Sequence, residues 1–351
     1  MTKERVNLVA GALGVAGRAL LHELTKYPEQ KTIGLSRRQP DFETSAEILS
    51  IDLQDQDGCK EKLSRLQNVT HIYYAAYTPA ASLAEEVAPN LGMLSNLVST
   101  INNQSTKLEH VCLVHGSKWY GNHLGPYKTP AREDDPRHMP PNFYYNPQDW
   151  IARFQEGKPW NWTSYRPHGL CGVSVGSSMN QLMALAIYAS ISKELGLALK
   201  FPGKPGAFRS VYQFTDARLL ARAMIWGTRQ IEFHNQAFNL TNGDIDRWEN
   251  IWPHIANLFD LEVGGVQNVT LATFMADKQE VWDHIVAKHG LKPYKLSTLV
   301  NWQFADWVYA SEFDQISSLA AFRRTGWSET LRAEDMFTNQ IRQLREEKII
   351  P

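Results

Sequence analysis

The segment that most limits how this chain can fold is its first. Val6-Asn7-Leu8-Val9-Ala10 runs directly into Gly11-Ala12-Leu13-Gly14-Val15-Ala16-Gly17, and residues 18–24 follow with helix-forming character. A short, mostly apolar run of this kind reads as a buried parallel strand. Glycines at three-residue spacing let the backbone turn tightly and approach a pyrophosphate at a helix N-terminus. The spacing alone also suits close helix–strand packing. A strand before it and a helix after it make it a nucleotide-binding loop. Regular glycines and the interruption at Arg18 set aside a secretory signal.

The same rhythm continues. Strands are expected at residues 32–36, 48–53, 70–76, 110–115 and 162–166, with a long helix at 83–101. Strands alternating with helices predict an α/β protein with a Rossmann-type doubly wound parallel sheet. After Pro167 the rhythm weakens. Helices are expected at 179–195 and 216–226, a further strand at 236–240, and mainly helices from residue 244 onward. This divides the chain into an NADP-binding Rossmann domain, 1–167, and a mixed segment, 168–351. The second segment completes the sheet and forms a smaller, mainly helical substrate-binding lobe. A length of 351 residues with 43% hydrophobic side chains suffices for such a core. Residues 121–141, rich in Pro, Gly, Asp and Arg, read as a long surface loop of the kind that carries function.

Bulk properties exclude several classes. A formal charge of -1 gives no basis for a nucleic-acid partner. No run approaches the roughly 20 apolar residues of a membrane span, so a soluble, cytoplasmic protein is expected. Cys59, Cys112 and Cys171 have neither zinc spacing nor a disulfide framework, and read as buried free thiols. His115, His123, His138 and His168 lack metal-ligand spacing, so no metal is expected. No Gly-x-Ser-x-Gly element points to a hydrolase. The 11 Trp include a surplus in the second half that suits the lining of an apolar pocket.

The end of the second strand selects the cofactor. An NAD site usually places an acid there for the ribose 2′-hydroxyl. This chain has Ser36-Arg37-Arg38, a hydroxyl and two guanidinium groups suited to a 2′-phosphate. NADP(H) is therefore the expected cofactor. Asp52 is placed either to accept a bond from the adenine amino group or to cap a turn. Leu13 and Val15 between the glycines, Leu53, Ala75 and Tyr144 complete the candidate cofactor contacts.

Chemistry is expected from Lys118, just past the fifth strand, and Tyr144, at the start of the helix leading to the sixth. That edge of the sheet is where α/β folds place ligands. A cationic lysine beside a phenol favours the ionised oxygen and steadies a nearby oxyanion. Common short-chain reductases hold the pair as Tyr-x-x-x-Lys; here lysine comes first, by about two dozen residues. His168, after Arg166-Pro167, is a candidate pocket residue.

These motifs resemble the progesterone 5-beta-reductase / iridoid synthase family, an atypical branch of the extended short-chain dehydrogenases/reductases. The likeness runs end to end. It includes the glycine loop, Ser36-Arg37-Arg38, Lys118-Trp119-Tyr120-Gly121, Gly125-Pro126 and Asn142-Phe143-Tyr144-Tyr145. It continues through Arg166-Pro167, Ala237-Phe238-Asn239-Leu240-Thr241-Asn242-Gly243-Asp244 and Gly290-Leu291-Lys292-Pro293. It ends with Trp302-Gln303-Phe304-Ala305-Asp306 and Lys348-Ile349-Ile350-Pro351. The resemblance implies NADPH-dependent reduction of a carbon–carbon double bond conjugated to a carbonyl, with Lys118 and Tyr144 catalytic and Tyr145 a structural neighbour. It also implies a mobile loop over the substrate near Trp302 and Phe304.

The chain departs from the family pattern at Trp119, usually histidine, at Ala10, usually threonine, and at Gln303, usually aromatic. Gly172-Val173-Ser174-Val175 departs as well. An apolar pocket over the nicotinamide is expected from Trp119, Phe143, Trp302 and Phe304, although core packing explains the last two rings equally well. The substrate expected is a small apolar enone or carbonyl compound, and a homodimer is left open. Two other readings stand: carbonyl (1,2-) reduction at the same site, and a non-catalytic NADPH sensor on the same fold. A sugar-nucleotide epimerase is disfavoured by Arg37-Arg38 and by the displaced lysine.

Overall fold

The computed structural model describes residues 5–351. Its centre is β1 (Val6–Ala10), every residue of which is buried. Two strands flank it in parallel: β2 (Lys31–Ser36), with Leu8 opposite Ile33, and β4 (His71–Tyr74), with Leu8 opposite Ile72. The sheet extends outward through β3 (Glu47–Ser50) on one side. On the other side come β5 (His110–Val114), β6 (Asn161–Pro167) and finally the strand Gln236–Leu240. All seven strands are parallel. The last pairs with β6, Phe238 opposite Tyr165, so residues beyond 168 complete the sheet.

Alternation along β1 sends Leu8 and Ala10 to one face and Val9 to the other, as a pleated strand requires. Leu8 and Ala10 meet α2 (Gln56–Leu63), α3 (Leu83–Gln104) and α4 (Tyr145–Gln155). Val9 meets α1 (Val15–Leu24) and the helix Ala217–Gly227. The buried Asn7 avoids a desolvation penalty by donating to Gln30 Oε1 at 3.1 Å. Helix α3 opens with Ser82 as its N-cap. Ser82 Oγ accepts from the Glu85 N–H at 3.3 Å and its hydroxyl donates to Glu85 Oε1 at 3.1 Å.

A third core lies in the C-terminal half. Helix α5 (Gln181–Glu194) is buried continuously from Gln181 to Ser192, which identifies it as the lobe's central helix. Around it pack Phe201, Phe214, Trp248, Trp252, Tyr309 and Phe337. The tryptophan surplus is thus largely a core feature. Trp248, Trp252 and Trp282 are fully enclosed and none of them lines a ligand pocket. Cys59, Cys112 and Cys171 are buried free thiols, as expected. Among the described residues no helix is long and apolar enough to cross a membrane.

Candidate active site

The glycine loop crosses the C-terminal edge of the sheet between β1 and α1. Gly11 has φ +73, and a side-chain carbon there would stand 2.6 Å from the Ala75 carbonyl oxygen. Only glycine combines that left-handed backbone with that approach. Ala75 is anchored over the loop, its N–H donating to Ala10 O at 3.0 Å. Leu13 is buried, and its carbonyl accepts from Ser174 Oγ at 2.9 Å. Gly14 is the N-cap of α1, and Val15 and Gly17 fall in its first turn. That turn carries no acidic side chain, so the free N–H groups of the helix start keep a positive end available for an anion.

Arg37 and Arg38 are both exposed after β2. Arg38 Nη1 donates to Val175 O at 3.0 Å, and its backbone N–H donates to Ser36 Oγ at 3.0 Å. This turn sets Ser36 Oγ and Arg38 at the strand end, with Arg37 exposed beside them. A phosphate cradle closed to side chains at Gly11 and a cationic turn at 36–38 fit a nicotinamide dinucleotide with a 2′-phosphate. Asp52 lies two residues beyond the end of β3. It is exposed and accepts from the Gln54 N–H at 3.0 Å, the turn-capping arrangement. Leu53 beside it is buried, its carbonyl bonded by Asn96 Nδ2 at 2.9 Å.

The fold brings Lys118 and Tyr144 together through a residue that sequence reasoning did not single out. Lys118 sits on the 3-10 turn Ser117–Tyr120 that follows β5. Asn142 Nδ2 donates to the Lys118 carbonyl at 2.6 Å, while Asn142 Oδ1 accepts from the Tyr144 N–H at 3.0 Å. One amide thus clips both segments. Tyr145 adds a second tie, its hydroxyl donating to the Trp119 carbonyl at 2.7 Å, which places Tyr145 in the scaffold. Phe143 stands between the pair, 4.2 Å from the Tyr144 ring and 5.9 Å from Lys118 Nζ. The Tyr144 hydroxyl lies over Gly116, 3.1 Å from where a side-chain carbon would be.

The electrostatics differ from the expectation that lysine would favour an ionised phenol. Burial pushes the Tyr144 hydroxyl well above the ordinary phenol range, and Glu86 adds to the rise. Burial also lowers the Lys118 ammonium below its usual value, with Glu86 opposing it. Desolvation wins because the phenol is largely buried. Tyr144 is therefore a neutral O–H donor at neutral pH.

The expected pocket residues separate. Trp119 is 4% exposed, with the Arg166 guanidinium 3.8 Å above its ring and Tyr145 edge-on at 4.8 Å. It supports the turn from beneath. His168 is buried against Tyr212, and its Nδ1 shares a 2.7 Å hydrogen bond with Ser117 Oγ. Burial holds its pKa down to about 3, so it is neutral. Trp302, half-buried at the start of the helix Trp302–Ala310, lines a cavity of about 620 Å³ shared with Gly176 and Ser177. Phe304 packs 5.8 Å from Trp307.

Trp307, one turn further along, is the ring that reaches the lysine, 5.9 Å from Lys118 Nζ. Met179 Sδ is 3.8 Å from the same nitrogen. The i, i+3 spacing from Phe304 was the available sign for Trp307; nothing local marked Met179. A cavity of about 850 Å³ also lies along α1 and the C-terminal helix, bordered by Arg18, Lys292 and Glu347. It includes neither Lys118 nor Tyr144.

Solved structures share this architecture. UDP-glucose 4-epimerase of Thermotoga maritima superposes with a TM-score of 0.69 at 12% identity, covering 97% of this chain and 99% of that one. A short-chain dehydrogenase/reductase superfamily protein of Agrobacterium tumefaciens, solved with bound NAD, gives 0.66 at 14%, covering 98% of each. Likeness at these identities speaks for the fold alone, a Rossmann-type parallel sheet with a helical C-terminal region.

The sequence narrows it further. The PRISE-like Rossmann-fold domain family matches residues 7–351. (S)-8-oxocitronellyl enol synthase of Catharanthus roseus is 32% identical, over 99% of this chain and 92% of that protein. 3-oxo-Delta(4,5)-steroid 5-beta-reductase of Arabidopsis thaliana is also 32% identical, over 99% and 94%. The chain belongs to this progesterone 5-beta-reductase / iridoid synthase family, and is an oxidoreductase of the short-chain dehydrogenase/reductase superfamily.

Proposed function

We propose that this protein is an NADPH-dependent reductase of carbon–carbon double bonds conjugated to a carbonyl. The observation that carries the reading is the Asn142 clip, which holds a neutral phenol and a partly buried lysine at the edge where the nucleotide loop ends. The full-length likeness to an enol synthase and a steroid 5-beta-reductase supports it.

NADPH, when bound, supplies the hydride for the β-carbon of the acceptor. The chain's own work is at the carbonyl oxygen, where negative charge gathers as the double-bond electrons move toward it. Tyr144 donates its hydroxyl proton in a hydrogen bond to that oxygen. The Lys118 ammonium stabilises the charge in surroundings too dry for water to screen it. The α-carbon takes its proton from solvent. Phe143, Trp307 and Met179 border the lysine and suit a small apolar substrate with one polar end. Residues 168–351 form the substrate-facing lobe, with Trp302 at the rim of its cavity.

The test is an NADPH-oxidation screen over small enals, cyclic enones, steroid enones and saturated ketones, with products identified. Saturated carbonyl products support the reading. Allylic alcohols from the enones, or turnover confined to saturated ketones, would replace it with carbonyl reduction.

A further inference from the structure

Glu86 is a buried carboxylate joined to this site through Tyr77 and Phe143, and the chemistry above leaves it without a task. It lies in the first turn of α3 and is 7% exposed. One oxygen accepts from the Tyr77 hydroxyl at 2.6 Å; the other, Oε2, is enclosed without a hydrogen-bond partner. An enclosed carboxylate with an unused oxygen is costly unless a cation offsets it.

The arrangement is built, because Asn90 fastens the Tyr77–Thr78 segment to the same helix turn. Asn90 Nδ2 donates to Glu86 O at 2.7 Å and to Thr78 O at 2.9 Å, and Asn90 Oδ1 accepts from the Thr78 N–H at 3.0 Å. The Tyr77 ring then packs 5.0 Å from Phe143, the ring that touches both Tyr144 and Lys118. Among the described residues, the atoms in reach of Lys118 Nζ are Met179 Sδ and the faces of Phe143 and Trp307, with no carboxylate in ion-pair contact. The lysine needs an anion nearby, and Glu86 needs a cation.

Resting on the function proposed above, we propose that Glu86, tethered by Tyr77 and Asn90, is a positioning residue that keeps Lys118 charged and Tyr144 protonated for oxyanion stabilisation. The field of Glu86 acts in that direction on both groups, raising the lysine and the tyrosine alike. The other titratable groups facing the lysine and the phenol do not supply the charge. His115, 4.9 Å from the Tyr144 ring, is held neutral by burial, down to about 3; His123, on loop 121–141 beside His138, is held down to about 4. Tyr77 is pushed up by burial and by its bond to Glu86, so it stays a neutral donor.

The sign of the test follows. Removing the anion makes Lys118 lose its proton at lower pH and lets Tyr144 ionise at lower pH, so both effects move the alkaline limb of the kcat profile down. Glu86→Gln is expected to lower kcat at the alkaline end about tenfold, the order expected for losing one nearby opposite charge. Affinity for NADPH stays unchanged, and Glu86→Asp restores the limb in part. A second readout needs no turnover. The rate at which an activated ester acylates Lys118, followed by peptide mass spectrometry against pH, should rise at lower pH in Glu86→Gln than in wild type. If Glu86→Gln does not fold, Tyr77→Phe carries the test, with kcat reduced several-fold and NADPH affinity intact.

An alkaline limb and an acylation profile both unchanged in Glu86→Gln, or an unchanged kcat in Tyr77→Phe, would overturn the assignment. A wild-type protein that reduces no enone would instead defeat the proposed reaction, and the acylation profiles would still decide whether Glu86 sustains the charge on Lys118.

Discussion

Residues 6–24 and the cluster around Lys118 are assembled in different ways. The nucleotide loop is one continuous segment whose strand, glycines and helix start are sequence neighbours, with Ala75 its main distant partner. The proposed catalytic cluster draws Lys118 from one turn, Asn142 and Tyr144 from the end of a long loop, Met179 from before α5, and Trp307 from a late helix. A contiguous motif is held by its own backbone conformation. A dispersed one depends on a few side-chain clips, and the loss of one clip disperses it. Changes in the first region should therefore register as cofactor affinity, and changes in the second as turnover and substrate choice.

The largest expected effect is on the second region. Tyr144→Phe removes the proton shared with the carbonyl oxygen and should lower kcat by about 100- to 1000-fold. NADPH affinity, followed by fluorescence titration, should hardly move. Near wild-type turnover would sink the role given to Tyr144. Next comes the cofactor turn. Arg37→Ala combined with Arg38→Ala should weaken NADPH by about 10- to 100-fold, the range for charged hydrogen bonds, with little change for NADH. Equal losses for both cofactors would show that the turn does not read the 2′-phosphate.

Asn142→Ala sharpens the comparison, because the two bonds by which Asn142 joins Lys118 to Tyr144 are to backbone atoms. Releasing the clip should cost roughly tenfold in kcat through misplacement, with NADPH binding intact. A loss of cofactor affinity instead would mean that the two regions are coupled. Smaller still is the effect of the rings. Trp307→Ala should reorder the preference among enones by a few-fold, more than Phe304→Ala, which lacks contact with the lysine.

A separate expectation concerns stability. His110, His115 and His168 are buried and held down to about 3 by desolvation. In the unfolded chain they titrate near about 6.5. Between those values the unfolded state binds more protons, so stability is full above the unfolded value and is lost as pH falls toward about 3. Melting temperature should decline on acidification below about pH 6.5, and more gently in His168→Gln. A flat profile across that range would show that these rings take up protons while folded.

The nucleotide half was legible because its signals are local. A five-residue apolar strand, glycines at fixed spacing and a basic strand end each report a backbone need within a few residues. Lys118 and Tyr144 were legible through their motifs and through the edge on which they fall. The burial of Trp119 and His168 was not legible, because a sequence does not show which face of a turn looks outward. Arg166 and Ser117, which enclose them, lie about 50 residues away from their respective partners. Asp52 was placed at the right strand end with two roles left open, and the structure shows the turn-capping bond.

By itself, then, the sequence determined the sheet and the glycine cradle, and pointed to the arginine pair, the lysine and the tyrosine as candidates, because periodicity and glycine geometry act over short distances. Tertiary structure alone decided that Asn142 joins the pair, that Trp307 rather than Trp302 or Phe304 reaches Lys118, and that Tyr144 stays protonated. Those outcomes depend on burial and on hydrogen bonds between distant segments, and desolvation exists only once the chain has closed around the group.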